Sequence, residues 1–144
     1  MCASIVYNYF KYRQLGDTGV TPTNLKSDTI KLSLHTSSYS PVDADDFWDD
    51  ATNEVGNSGT YASGGATLTV TTSQDNTDDE GVFDAVDVSF TSATITARAA
   101  VVYKSTGTPS TSPLVCYIDF GSNQTSTAGT FTITFAAEGI LNLS

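Results

Sequence analysis

Five aspartates lie within eleven residues of the sequence, in the segment SPVDADDFWDD that spans residues 40–50. A second acidic segment, DNTDDEG, spans residues 75–81. Clustered carboxylates are the ligands that Ca²⁺ prefers, and a pair of carboxyl groups is sufficient for glycoside hydrolysis. The two segments therefore raise the question of a metal site or a catalytic site.

The spacing of these carboxylates does not fit an EF-hand. Such a loop needs oxygen ligands at its first, third and fifth positions and glycine at its sixth. Counted from Asp43, the fifth and sixth positions are Phe47 and Trp48, and counted from Asp75 the sixth is Glu80. We predict no metal and no other cofactor, with a calcium site of another type left as an alternative. The candidate ligands of that site are Asp43, Asp46, Asp50, Asp78 and Asp79.

A helix explains more of residues 40–50 than a metal site does. Ser40 is a favoured N-cap, and Pro41 suits the first helical position. The spacing i, i+3, i+4, i+7 then gives an apolar stripe. It consists of Ala44, Phe47, Trp48 and Ala51. We predict a short helix near residues 41–50 that buries this stripe and leaves Asp43, Asp46 and Asp50 in solvent.

The residues suited to nucleophilic catalysis are few. The single histidine, His35, lies on the polar side of a predicted strand, and Cys116 is predicted to point into the core. No nucleophile-elbow motif surrounds Cys116. We therefore predict no catalytic residues and a non-enzymatic protein. A polysaccharide hydrolase remains an alternative, with candidate carboxylates at Asp45, Asp46, Asp49 and Asp50.

The charge balance and the short apolar runs argue against two kinds of partner, nucleic acid and a membrane. Sixteen acidic residues stand against six Lys and Arg, which gives a net charge of −10. No basic stripe is available to neutralise phosphates, so we expect no nucleic-acid partner. No run approaches the roughly 18 apolar residues of a membrane span, and we expect no membrane contact.

The cysteines and the first residues indicate where the chain is made. Cys2 and Cys116 do not have the dense pattern of a disulfide scaffold. We expect both to be free thiols in a protein made in a reducing cytoplasm. The start MCASIVYNYF lacks the features of a signal peptide, so we expect no secretion leader.

Alternating apolar residues predict about seven short strands. The segment DTIKLSLHT, residues 28–36, predicts a strand with one face in solvent, and residues 92–104 predict a long central strand. LVCYIDFG and TFTITF predict two more strands, separated by the loop GSNQTSTAG. We predict a mainly β protein, a single antiparallel β-sandwich or open barrel in one domain over residues 1–144. The predicted core residues are Phe47, Trp48, Ile95, Val101, Ile118, Phe131 and Ile133.

The two ends of the chain carry apolar residues that a small domain covers poorly. SIVYNYFKYRQL, residues 4–15, predicts an amphipathic helix within a helical N-terminal arm over residues 1–20, and GILNLS predicts a terminal strand. We expect both elements to pack against another subunit. The predicted interface residues are Ile5, Tyr9, Phe10, Tyr12, Ile140, Leu141 and Leu143.

Three long segments and one short one resemble a known protein family. These are SDTIKLSLHTSSYSPVDADDFWDDATNEVGNSGTYASGGATL, GVFDAVDVSFTSATITARAAVVYKSTGTPSTSPLVCYIDFGS, GTFTITFAAEGILNLS and the N-terminal VYNYFKY. In the order and spacing of their motifs they are similar to small structural proteins of tailed bacteriophages. The resemblance implies a non-enzymatic virion protein, with capsid decoration as the leading expectation. It also implies virion proteins as partners, above all the major capsid protein, and a homo-oligomer.

A different function within the virion is the alternative expectation. A tail, neck or head-fibre component would bind host-surface glycans, and the loops over residues 56–65 and 105–113 would then form the binding surface. Trp48 and Tyr61 could provide an aromatic platform for a sugar ring.

Overall fold

The computed structural model describes Met1, residues 3–16 and residues 18–144. With 47% of the chain in strands and 7% in helices, the predicted mainly β class is confirmed. The described residues form eight strands, one α-helix and one 3-10 helix. In chain order these are β1 (Ile5–Val6), α1 (Asn8–Gln14), β2 (Ile30–His35), β3 (Ala66–Thr67), β4 (Val70–Asp75), β5 (Glu80–Ala85), β6 (Val88–Lys104), the 3-10 helix (Pro109–Thr111), β7 (Leu114–Ile133) and β8 (Leu141–Leu143).

The strands form two antiparallel sheets in a sandwich-like arrangement. The larger sheet has the order β1-β7-β6-β2-β3, and the smaller has the order β4-β5-β8. Neither sheet closes into a barrel within the described residues. Two separate antiparallel sheets are consistent with the predicted β-sandwich.

One apolar cluster lies between the two sheets. Leu32 and Val102 of the larger sheet belong to the same buried cluster as Phe83 and Leu141 of the smaller sheet. Five of the predicted core residues are buried, which confirms them: Ile95, Val101, Ile118, Phe131 and Ile133. Burial of these side chains is the main source of stability in a domain of this size.

The second face of β2 is also buried, and the prediction of a solvated face is wrong. Ser33 and His35 point away from the Leu32 side of the sheet, and both are completely buried. A second apolar cluster covers this face, and it includes Tyr39 and Ala51 from the segment between β2 and β3. Polar side chains can be buried here because they are hydrogen-bonded.

The longest strand, β7, runs through a stretch that was predicted to be a loop. β6 and β7 pair from Val88 opposite Ile133 to Tyr103 opposite Leu114, and β7 continues through GSNQTSTAG. Shifts in register interrupt the pairing, and Ala128 has a positive φ of 45°. Irregularities of this kind let a strand keep its pairing through turn-forming residues.

The predicted helix near residues 41–50 is absent, because its backbone groups bond elsewhere. The amide of Trp48 donates to the carbonyl of Ser112, and the amide of Leu114 donates to the carbonyl of Asp46. Phe47 also pairs with Pro113 in an isolated antiparallel bridge. These contacts tie the segment to the start of β7 and replace the bonds of a helical turn.

The N-terminal helix is shorter than predicted. Ile5 and Val6 form β1, which pairs with Tyr117 and Cys116 of β7, and α1 begins only at Asn8. No helix of the described residues is long and apolar enough to span a membrane.

Candidate functional site

The five predicted calcium carboxylates do not converge on one site. The described residues contain no group of three or more His, Cys, Asp or Glu side chains that could hold a metal ion. Asp43, Asp78 and Asp79 are exposed. Asp75 accepts hydrogen bonds from the amides of Thr77 and Asp78, so the second acidic segment forms a turn.

Asp46 and Asp50 form a local pair. The carboxylate of Asp50 accepts hydrogen bonds from the amides of Asp46 and Phe47, at 3.0 and 3.3 Å, and these bonds lower the pKa of Asp50. Partial burial, with a side-chain hydrogen bond to Asp50, raises the pKa of Asp46. The two carboxyls therefore stabilise the turn that replaces the predicted helix.

Asp45 is the one buried carboxylate of the segment, and sequence reasoning gave it no structural role. It accepts a hydrogen bond from Oη of Tyr39 at 2.9 Å and one from the amide of Val42 at 3.0 Å. The hydroxyl of Tyr39 lies 2.8 Å from that of Tyr7, which follows β1. Burial raises the pKa of both tyrosines far above the ordinary value. Both tyrosine hydroxyls therefore stay protonated at neutral pH, and the hydrogen-bonded chain Tyr7–Tyr39–Asp45 holds this segment against the N-terminal residues.

His35 and Cys116 cannot act together. His35 belongs to the covered outer face of the sheet, whereas Cys116 packs in the cluster between the sheets. Nδ1 of His35 donates to the carbonyl of Thr52, and its Nε2 accepts from Oγ of Ser33, both at 2.8 Å. Burial lowers the pKa of His35 and raises the pKa of Cys116 to about 12. The histidine is thus a neutral structural group, and the thiol is not a nucleophile.

A cleft of about 220 Å³ opens beside Trp48. It lies between residues 63–64 and residues 105–112, so it brings together both loops that were predicted to bind glycans. Its walls are formed by Lys31, Trp48, Ser63, Gly64, Tyr103, Ser105, Gly107, Thr108, Pro109 and Ser112.

The aromatic wall of the cleft is held in place from behind. Trp48 stacks on Tyr103, with ring centroids 4.9 Å apart and planes 12° from parallel. Nε1 of Trp48 donates to Oγ of Ser33 at 3.0 Å, and Oη of Tyr103 donates to the carbonyl of Gly64 at 2.7 Å. Both rings are therefore fixed in orientation. Tyr103, and not the predicted Tyr61, is the aromatic partner of Trp48.

Tyr61 lies in the core below the cleft. It is 1% exposed, and its hydroxyl donates to Glu54 and accepts from the amide of Leu34. The expectation that Trp48 and Tyr61 share a surface platform is wrong, because the Tyr61 side chain stacks edge-on against Phe90 inside the sandwich.

Lys31 supplies the positive charge of the cleft. It lies opposite Tyr103 in the pairing of β2 with β6. A Cβ atom built on Gly64 would lie 3.1 Å from Nζ of Lys31, 3.3 Å from Oη of Tyr103 and 4.0 Å from the Trp48 ring, so the three side chains converge on this glycine. No carboxylate of the described residues forms an ion pair with Lys31.

Sequence reasoning missed Lys31 and Tyr103. Lys31 lies on the same side of β2 as Ser33 and His35, and Tyr103 is its partner on β6, so only the strand register brings the two residues together. Trp48 was assigned to the core with Phe47, but both side chains are only half-buried.

Three of the predicted interface residues are unavailable to another subunit. Phe10 and Ile140 are completely buried and Leu141 is 4% exposed, all within the core of the same chain. The expectation is wrong for these three, because Phe10 of α1, Leu141 of β8 and the preceding Ile140 pack on the sandwich. Tyr9 is half-buried, and the exposed members of the predicted set are Ile5, Tyr12 and Leu143.

Arg98 of β6 forms a bidentate ion pair with Asp119 of β7, with Nε–Oδ1 and Nη2–Oδ2 distances of 2.8 and 3.1 Å. Cys116 is a free thiol, as predicted, and the prediction for Cys2 falls outside the described residues.

A comparison of the chain with protein-family models, with curated proteins and with solved structures finds no match in any of the three.

Proposed function

We propose that the protein is a non-enzymatic structural protein of a tailed-bacteriophage virion, where it decorates the capsid as a homo-oligomer in contact with the major capsid protein. The motif order and spacing of the sequence suggest the family. The structural observation that supports a subunit contact is the concentration of exposed apolar side chains near the N-terminus.

These side chains form what we call the N-terminal patch: Ile5, Tyr12, Leu15 and Val42. They are 44%, 41%, 83% and 59% exposed. Ile5 and Val42 line the same small hollow. Tyr12 and Leu15 are three residues apart, at the end of α1 and at its C-cap, and so lie on one side of the helix. Apolar side chains gathered in one region of a small domain are typical of an interaction surface.

The strong acidity of the chain agrees with this role. A net charge of −10 favours solubility outside the cell and disfavours contact with nucleic acid inside the capsid. It would also suit a partner with a basic face.

Point substitutions in the patch test the proposal better than a deletion does. Removal of residues 1–15 would also remove Phe10 from the core and β1 from the sheet, so loss of assembly would be ambiguous. The double variant Ile5→Glu/Leu15→Glu changes only exposed side chains. We expect it to remain folded and to lose most of its binding to isolated heads that lack the protein, measured by co-sedimentation.

Val86→Glu is the matched control, because Val86 is 62% exposed and lies between β5 and β6, outside the patch. It should bind heads as the wild type does. The proposal first requires that mass spectrometry detects the protein in purified virions. If the protein is absent from the particles, or if the double variant decorates heads fully, the proposal is wrong.

A further inference from the structure

We propose that the cleft beside Trp48 binds a single carboxylate-bearing sugar, such as the terminal uronic acid of a surface glycan. This site does not include the N-terminal patch. The sugar-binding proposal can therefore be disproved while the proposed decoration role stands, and the decoration role can be disproved while the sugar-binding proposal stands.

The aromatic wall suits the apolar C–H face of a pyranose ring. The half-buried Trp48 indole lines the cleft, and Tyr103 supports it from one side at 4.9 Å. Because Nε1 of Trp48 already donates to Ser33, the indole is held in one orientation before any ligand arrives. A preorganised ring reduces the entropy cost of binding.

Lys31 suits the carboxylate of such a sugar. Its ammonium group approaches Gly64 at the point where Trp48 and Tyr103 converge, and it forms no ion pair with the described carboxylates. An ammonium beside an aromatic wall can donate hydrogen bonds to the carboxylate of a sugar whose ring stacks on that wall.

Hydroxyl groups on the opposite wall suit the remaining oxygens of the sugar. Ser105 and Thr108 line the cleft, and neither side-chain hydroxyl has a hydrogen-bond partner among the described residues. Ser63 donates to Glu54 and keeps its oxygen free to accept. These groups can exchange hydrogen bonds with a polyol at little reorganisation cost.

The size of the cleft and the charge of the chain narrow the ligand further. A volume of about 220 Å³ lies below the roughly 300–1,000 Å³ of pockets for drug-sized molecules, so it has room for one ring and not for a longer chain. A protein of net charge −10 repels a phosphate dianion more than a monoanionic carboxylate. One lysine also balances one carboxylate.

Trp48 is the single tryptophan of the chain, so its fluorescence reports directly on the cleft. We would titrate the intact protein with methyl glucuronide and, separately, with the neutral methyl glucoside. We expect a saturable change with the glucuronide, with a Kd of about 1 mM, as is typical of one small polar ligand. The glucoside should bind at least about tenfold more weakly, because it lacks the carboxylate that forms an ion pair with Lys31.

Three variants test the residues. Lys31→Gln should raise the Kd for the glucuronide about tenfold, because it removes a charged hydrogen bond. Thr108→Val should raise this Kd about threefold, because it removes a neutral hydrogen bond. Lys26→Gln removes the same charge from an exposed position outside the cleft and should bind as the wild type does. Circular dichroism confirms that each variant is folded.

Equal binding of the two glycosides would overturn the proposal, as would a Lys31→Gln variant that binds the glucuronide normally. Absence of any saturable fluorescence change in the wild type would overturn it as well. Binding of inorganic phosphate in place of the glucuronide would also contradict it, because the site would then recognise charge without the ring.

Discussion

The indole of Trp48 lies parallel to the phenol ring of Tyr103, 4.9 Å away between centroids. This contact joins the segment between β2 and β3 to the middle of the larger sheet. The hydrogen bond from Nε1 of Trp48 to Ser33 adds a polar contact with β2, and Ser33 in turn bonds His35. One half-buried side chain thus organises both the outer layer of the sandwich and the wall of the cleft.

Substitution of Trp48 by alanine should destabilise the fold. It removes the stacked ring and leaves the Ser33 hydroxyl with one partner fewer, and we expect a loss of about 2–3 kcal/mol in the free energy of unfolding. Trp48→Phe keeps an aromatic ring and loses the hydrogen bond, so it should lose about 1 kcal/mol. Urea unfolding followed by far-UV circular dichroism measures both. Equal stability of Trp48→Ala and the wild type would show that the contact contributes nothing.

The strand pattern was predictable because alternation of apolar residues is a local signal. Ile95, Val101 and Ile118 were assigned to the core from period-two spacing, and they are buried. The covering of the second face of β2 was not predictable. It depends on residues such as Tyr39 and Ala51, whose contact with the sheet is not encoded in the strand itself.

The helix predicted near residues 41–50 failed for a related reason. Its cap and apolar stripe favour a helix locally, but two tertiary hydrogen bonds replace the helical ones: the amide of Trp48 donates to Ser112, and the carbonyl of Asp46 accepts from Leu114. Such tertiary contacts override local propensity. The cleft was partly predictable, since both of its loops were selected, but Lys31 and Tyr103 could be assigned to it only once the strand register was known.

The buried carboxylate of Asp45 should matter more to stability than its exposed neighbours. Asp45→Ala leaves the hydroxyl of Tyr39 and the amide of Val42 without their acceptor, and we expect a loss of about 2–3 kcal/mol in the free energy of unfolding. Asp43→Ala is the control, because Asp43 is exposed on the same segment. Urea unfolding of the two variants under the same conditions should separate them clearly. Indistinguishable stabilities would mean that the buried network is not stabilising.

His35 should make the fold sensitive to mild acid. Burial lowers the pKa of His35 in the folded state below the ordinary value of 6.5. As the pH falls below 6.5, His35 therefore takes up a proton more readily in the unfolded chain than in the folded one. Stability should therefore be full above this pH and fall as the pH decreases through it, by at most about 1.4 kcal/mol per pH unit. The window between about pH 5 and pH 6.5 is the informative one, because most carboxylates remain ionised there.

The variant His35→Gln provides the test of this pH dependence. It lowers stability at every pH by disturbing the bonds to Ser33 and Thr52, but it removes the titrating group. The slope of unfolding free energy against pH should then be nearly flat across the same window. A slope equal to that of the wild type would assign the acid sensitivity to other groups. Because His35 is the single histidine, its imidazole NMR signal can be followed directly.

Gly65 should tolerate no side chain, and Gly107 provides the matched comparison. Both have a positive φ, +68° and +88°, so alanine carries a similar left-handed strain of about 1–2 kcal/mol at either position. A Cβ on Gly65 would overlap the carbonyl oxygen of Leu32 and lie 2.8 Å from Cα of Ser33, whereas a Cβ on Gly107 meets nothing within 4 Å.

The comparison of the two alanine variants isolates the close approach of Gly65 to β2. Gly107→Ala should unfold at slightly lower urea concentration than the wild type, with a loss of about 1 kcal/mol. Gly65→Ala must push β3 away from β2, and we expect a loss above about 4 kcal/mol or no soluble folded protein. Urea unfolding, with soluble yield as the second measurement, separates these outcomes. If both variants lose the same stability, backbone strain alone accounts for the effect of Gly65→Ala. The close packing of β3 on β2 would then not be the reason for a glycine at position 65.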